Sequence, residues 1–149
     1  MKRPEIKTLQ NLESAFAGES MAHIKYRYFA KIARAAGDEA TARVFEETAE
    51  HEVAHAFGHL DLLYPKAGMT PAKCLEVAIA GETYEYTEMY PTFRKTAEAE
   101  GHGAAVREID EQIAESKEHA EAFKATLEKA AKRFAALARV EERHANQYK

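Results

Sequence analysis

From Ala104 to Lys149 the chain contains neither glycine nor proline, and this unbroken stretch restricts the fold more than any other feature. Apolar and small residues recur along it in steps of three and four: Val106, Ile109, Ile113, Ser116, Ala120, Phe123, Leu127, Ala130, Phe134 and Leu137, followed by Glu141, His144 and Tyr148. The rhythm lasts for about six heptads and predicts a single helix too long for an ordinary bundle member. At 1.5 Å per residue its length is roughly 65–70 Å. A weak internal echo runs through it, with Ile113–Lys124 resembling Ala138–Lys149 and His119 matching His144. The offset of 25 residues is close to seven helical turns.

Glycine and proline divide the remainder into three further helices. The first is expected over Pro4–Ala36, with Gly37 as its C-terminal stop. A second begins at Asp38, an N-cap residue, and ends near Tyr64–Pro65. After the linker Pro65–Met69, Thr70 and Pro71 form an N-cap and a first helical position. Pro91 kinks this third helix without ending it, because the pattern resumes at Phe93; Gly101 and Gly103 close it. The expected architecture is all-α, one domain over residues 1–149, with four helices of which the last is unusually long.

Charged residues make up 31% of the 149 and hydrophobic residues 46%, which suits a helical globular protein. A net charge of −4 gives no basic footprint for nucleic acid. No stretch approaches the roughly 20 apolar residues of a membrane span, and the polar N-terminus has no signal-peptide character. The single cysteine, Cys74, excludes an internal disulfide framework and a cysteine-rich metal site. A reducing, cytoplasmic setting is expected, with Cys74 an ordinary thiol.

Carboxylates break each apolar stripe. Glu19 sits among Leu12, Phe16, His23 and Tyr26; Glu52 among Phe45, Ala49, Ala56 and His59; Glu82 and Glu85 among Leu75, Ala78, Met89 and Phe93. An acid on a core face is costly unless it is paired or bound to a cation. Glu52-Val53-Ala54-His55 and Glu141-Glu142-Arg143-His144 are both Glu-x-x-His, which puts a carboxylate and an imidazole on adjacent turns of one face. One acid from each of two helices and Glu-x-x-His from the other two is the inventory of a di-iron or di-manganese carboxylate bundle. Carboxylate oxygens suit Fe(II) or Mn(II), imidazoles favour a transition metal over calcium or magnesium, and the lack of thiolates argues against structural zinc. Two divalent ions offset most of the buried negative charge.

The other histidines have plainer expectations. His23 and His59 lie on core stripes as satisfied core residues or donors to a ligand; His51 faces outward and His102 lies in a turn. His119 stays an alternative to His144, because Glu115-x-x-x-His119 also offers an acid and an imidazole. Ser116 rather than a glutamate holds the stripe there, which favours Glu141 and His144.

These motifs carry a family resemblance. Ala15-Phe16-Ala17-Gly18-Glu19-Ser20, Glu52-x-x-His55, Gly81-Glu82-x-x-Glu85-Tyr86-Thr87-x-Met89-Tyr90-Pro91 and Glu141-x-x-His144-Ala145 resemble rubrerythrin in its ferritin-like di-iron domain. The resemblance implies two iron ions, with manganese or zinc as substitutes, held by Glu19, Glu52, His55, Glu82, Glu85, Glu141 and His144. It implies reduction of hydrogen peroxide, with Glu85 and His55 exchanging as ligands of one iron. It also implies that Tyr26 and Tyr90 hydrogen-bond to ligand carboxylates. Typical members add a rubredoxin-like domain with a four-cysteine iron site, for which this sequence has too few cysteines. Electrons are therefore expected from an external donor, such as a rubredoxin-like protein or a reductase. A ferroxidase that oxidises Fe(II), and a helical scaffold with a vestigial site, are the alternative functions. The length of the last helix adds an expectation of assembly: its second half crosses into a partner and supplies Glu141 and His144 there, in a helix-swapped homodimer.

Overall fold

The computed structural model describes residues 7–147, and side chains through residue 143. The helix start expected at Pro4, the His144 side chain and Tyr148 lie outside the described residues. Every regular element within them is helical. The chain forms two compact units, residues 1–69 and 70–149.

The first unit is a hairpin of α1 (Thr8–Ala35) and α2 (Glu39–Leu63). Gly37 makes the reversal possible. At φ 83° it sits in the left-handed region, where a side chain costs energy. Its N–H donates to Arg34 O, and that of Asp38 to Ala33 O, each at 3.0 Å, which completes a Schellman C-cap. Asp38 then caps α2 by accepting from Thr41 N at 3.0 Å. Ala42, Ala49 and Ala56 are buried along α2 at heptad spacing, together with Ala30 of α1. Small side chains at that repeat let two helix backbones approach closely. His23 ties the pair, donating from Nδ1 to Ala49 O at 2.8 Å. Arg34 forks between Glu39 and Glu46 at the exposed edge. A Cβ at Gly37 would meet nothing within 4 Å, so Gly37→Ala tests conformation alone. Urea unfolding of that variant is expected to show a loss of about 1–2 kcal/mol.

The second unit contains α3 (Pro71–Tyr84), a π-helical turn over Glu85–Met89, α4 (Tyr90–Ala99) and α5 (Gly103–Gln147). Thr70 caps α3 through Lys73 N at 3.1 Å, with Pro71 in the first turn. The kink expected at Pro91 takes the form of the π turn just before it. Tyr90 N donates to Glu85 O, five residues back. Proline has no N–H and its ring crowds the carbonyl four residues earlier; a wider turn relieves both. Gly101, at φ 70°, ends α4 with the same cap as Gly37: His102 N donates to Ala97 O at 2.8 Å. α3 and α4 both pack on α5, where Ala97, Ser116 and Ala120 are buried. Arg94 of α4 clasps Asp110 of α5 at 2.6 Å.

α5 runs without a break through Leu127–Arg133. Residues 131–143 are all exposed, with Phe134 at 72% and Leu137 at 59%.

Candidate metal centre

In the first unit α1 and α2 each bring an acid to the same place. Glu19 and Glu52 are half-buried, and His55 lies one turn after Glu52. His55 Nδ1 is 3.0 Å from Glu52 Oε2 and 3.8 Å from Glu19 Oε2. One ligand atom from each of the three residues falls within 4.8 Å of the others. Their hydrogen bond raises the Glu19 carboxyl above its ordinary value and lowers that of Glu52, which His55 lowers further. The two acids and the imidazole therefore form one electrostatically coupled cluster. Carboxylates drawn so close repel unless a proton or a metal ion lies between them.

The second unit holds a related set. Glu82 and Glu85 extend from the end of α3 and the start of the π turn toward α5. Glu82 Oε1 is 3.4 Å from His119 Nδ1. Its other oxygen, Oε2, is buried without a hydrogen-bond partner. A buried carboxylate oxygen left unpaired is costly, and a cation satisfies it. Glu85 Oε2 accepts a hydrogen bond from Ser116 Oγ at 3.1 Å. Oxygen and imidazole donors without a thiolate match the preferences of iron or manganese. The residues present fit such an ion.

α5 therefore presents Ser116 and His119 to these two acids; the His144 side chain lies outside the described residues. Along one straight helix Glu141 is 25 residues beyond Ser116, or about 37 Å. Glu141 itself is exposed. His119, the alternative to His144, is exposed yet reaches Glu82. The signal that pointed to it was the echo pairing His119 with His144.

The tyrosines flank the carboxylates. Tyr26 stacks on Phe45 with ring centroids 5.9 Å apart, and Phe29 meets the same ring at 5.6 Å. Tyr90 packs edge-on against Phe93 at 6.4 Å. Burial pushes the Tyr90 hydroxyl above its usual pKa, with help from the carboxylates of Glu85, Glu108 and Glu82. Among the described residues neither hydroxyl is hydrogen-bonded to a carboxylate. His51 is exposed, as its position predicts, while His23 is satisfied by Ala49.

A family model for rubrerythrin matches residues 10–69 and 62–127. The chain belongs to the rubrerythrin family. Its second matched segment contains Glu82, Glu85, Ser116 and His119 and stops short of Glu141. This rubrerythrin-family chain is 43% identical over 107 residues to a rubrerythrin of Porphyromonas gingivalis, covering 64% of this chain and 53% of that protein. It is 35% identical over 136 residues to rubrerythrin-1 of Clostridium acetobutylicum, covering 81% and 70%. Nigerythrin of Nitratidesulfovibrio vulgaris is 38% identical over 128 residues, covering 78% and 63%. The chain thus spans between about half and 70% of the length of these relatives. A solved structure of nigerythrin in its fully reduced, all-ferrous state is similar at 34% identity. It covers 87% of this chain and 70% of that one with a TM-score of 0.43.

Proposed function

We propose that this chain is a di-iron oxidoreductase that reduces hydrogen peroxide to water with electrons from an external donor. The reading is carried by Glu19, Glu52 and His55, whose ligand atoms lie within 4.8 Å of one another. Glu19, Glu52 and His55 would hold iron from one set, and Glu82, Glu85 and His119 from the other. Glu141 and His144 remain candidates through assembly. When bound, the metal supplies the two electrons that, with two protons, convert one hydrogen peroxide to two waters.

The side chains have distinct tasks. Glu19, whose carboxyl is raised by its hydrogen bond with Glu52, would have to be ionised to hold a cation, so binding would couple to proton release. Tyr90, kept protonated at neutral pH by burial and its acidic neighbours, offers an O–H donor next to Glu85. Tyr26, in its aromatic seat against Phe45, is the corresponding candidate on α1. Glu85 stands at a π turn, a widened backbone common at functional sites, and with His55 it is the family's candidate pair for ligand exchange. A rubredoxin-like protein or a reductase is the proposed donor. Cys74 is an exposed free thiol, which suits a reducing cytoplasm.

Stopped-flow mixing of the reduced, iron-loaded protein with hydrogen peroxide and, separately, with oxygen tests the reading. Peroxide is expected to oxidise the protein at least about tenfold faster, a difference of roughly 1.4 kcal/mol in barrier. Equal rates would favour a ferroxidase, and no reaction with either a vestigial site.

A further inference from the structure

The two helix pairs solve the same problem with one difference. On α2 an acid and a histidine three residues apart, Glu52 and His55, face Glu19. On α5 a serine and a histidine three residues apart, Ser116 and His119, face Glu85 and Glu82. Ser116 is only 4% exposed, the sole polar residue among the fully buried side chains described.

Its hydroxyl also behaves unlike most of the other helical hydroxyls. Ser20, Thr48, Thr87, Thr92 and Thr126 each donate to the carbonyl one turn back on their own helix. Such back-bonding is the usual local choice for serine and threonine in a helix. Ser116 instead donates across the α3–α5 interface to Glu85 Oε2 at 3.1 Å. A glutamate at 116 would bring a second carboxylate toward Glu85, and the two would repel unless a proton or a cation lay between them. A hydroxyl holds Glu85 with no charge of its own and leaves Oε1 free of that bond.

We propose that Ser116 is a positioning residue for Glu85: its hydroxyl fixes one carboxylate oxygen on the α5 side, so that the other is presented to the metal. The inference rests on the metal-centre reading above. Partners that orient a ligating carboxylate typically change metal affinity by about 10–100-fold when removed. Glu85 also opens the π turn, where Tyr90 N donates to its carbonyl five residues back.

Cobalt(II) titration of the full chain tests this without turnover, with affinity and the visible d–d spectrum as readouts. Ser116→Ala is expected to weaken cobalt binding by about tenfold or more and to alter the band. Ser116→Thr, which keeps the hydroxyl, is expected to restore both. In a Glu85→Ala background, Ser116→Ala is expected to add less than about twofold, because a residue acting through Glu85 has nothing left to position. An unchanged affinity and spectrum in Ser116→Ala would overturn the proposal. So would an effect of the same size with and without Glu85. A wild-type chain that binds no cobalt would instead overturn the metal-centre reading, and the positioning role with it.

Discussion

Glu52→Ala is expected to lower the iron content of the anaerobically loaded protein from about two ions per chain to one or fewer. Affinity should fall by at least about 100-fold, because a direct ligand contributes more than the outer partners whose loss costs 10–100-fold. Glu52 is the common neighbour in its cluster. Its carboxyl is lowered by its interactions with Glu19 and His55, and it lies 3.0 Å from His55 Nδ1. Removing it leaves Glu19 and His55 3.8 Å apart with no acid between them. Thermal unfolding gives the second readout. Iron stabilises the native wild type in proportion to the logarithm of its concentration over Kd, and that upward shift in Tm is expected to vanish in Glu52→Ala. The metal-free variant should melt at or above wild type, since two crowded acids become one. Retention of two ions and of the metal-dependent shift would remove Glu52 from the ligand set.

The sequence specified the helices well because their punctuation is chemical. Gly37 and Gly101 take positive φ, Asp38 and Thr70 cap, and Pro71 opens a helix. Each acts locally, so no tertiary knowledge was needed. Pro91 shows the limit of that method. Its disturbance was foreseen as a kink, but the chain absorbs it upstream in a π turn, through the bond from Tyr90 N to Glu85 O. The stripes likewise put Glu19, Glu52, Glu82 and Glu85 on inward faces, since period fixes the face a residue occupies. Period does not fix which turn of a long helix meets a given neighbour. α5 carries histidines at 119 and 144, and the choice between them depends on where α3 lies along its axis. A preference for acids favoured Glu141 over Ser116. The short reversal at Gly101–Gly103 instead sets Glu85 beside Ser116. His119 was undervalued for a related reason: an exposed side chain still reaches an acid across a helix pair.

The remaining question is what Glu141 and His144 do, and mixing variant chains is expected to answer it. The distal part of α5 exposes Phe134 and Leu137 on the stripe that carries Glu141. The α1–α2 hairpin exposes Ile24 and Phe57, which line one hollow with Glu52. Large exposed apolar side chains gathered beside a ligand cluster mark an interaction face. We propose that its occupant is the distal α5 of a second copy, which brings an acid and an imidazole along with its apolar stripe. Exchange of one element between identical chains is a low-cost route to a symmetric dimer. One parent would carry Glu141→Ala/His144→Ala and the other Glu19→Ala/Glu52→Ala. Each homodimer alone should bind little iron. After unfolding and refolding together, each mixed dimer should contain one intact centre with about two ions, against about four for a wild-type dimer. Completion of the centre within one chain predicts no recovery on mixing. A protein that stays monomeric while holding two ions would also exclude the exchange, and would leave His119 as the histidine of the second set.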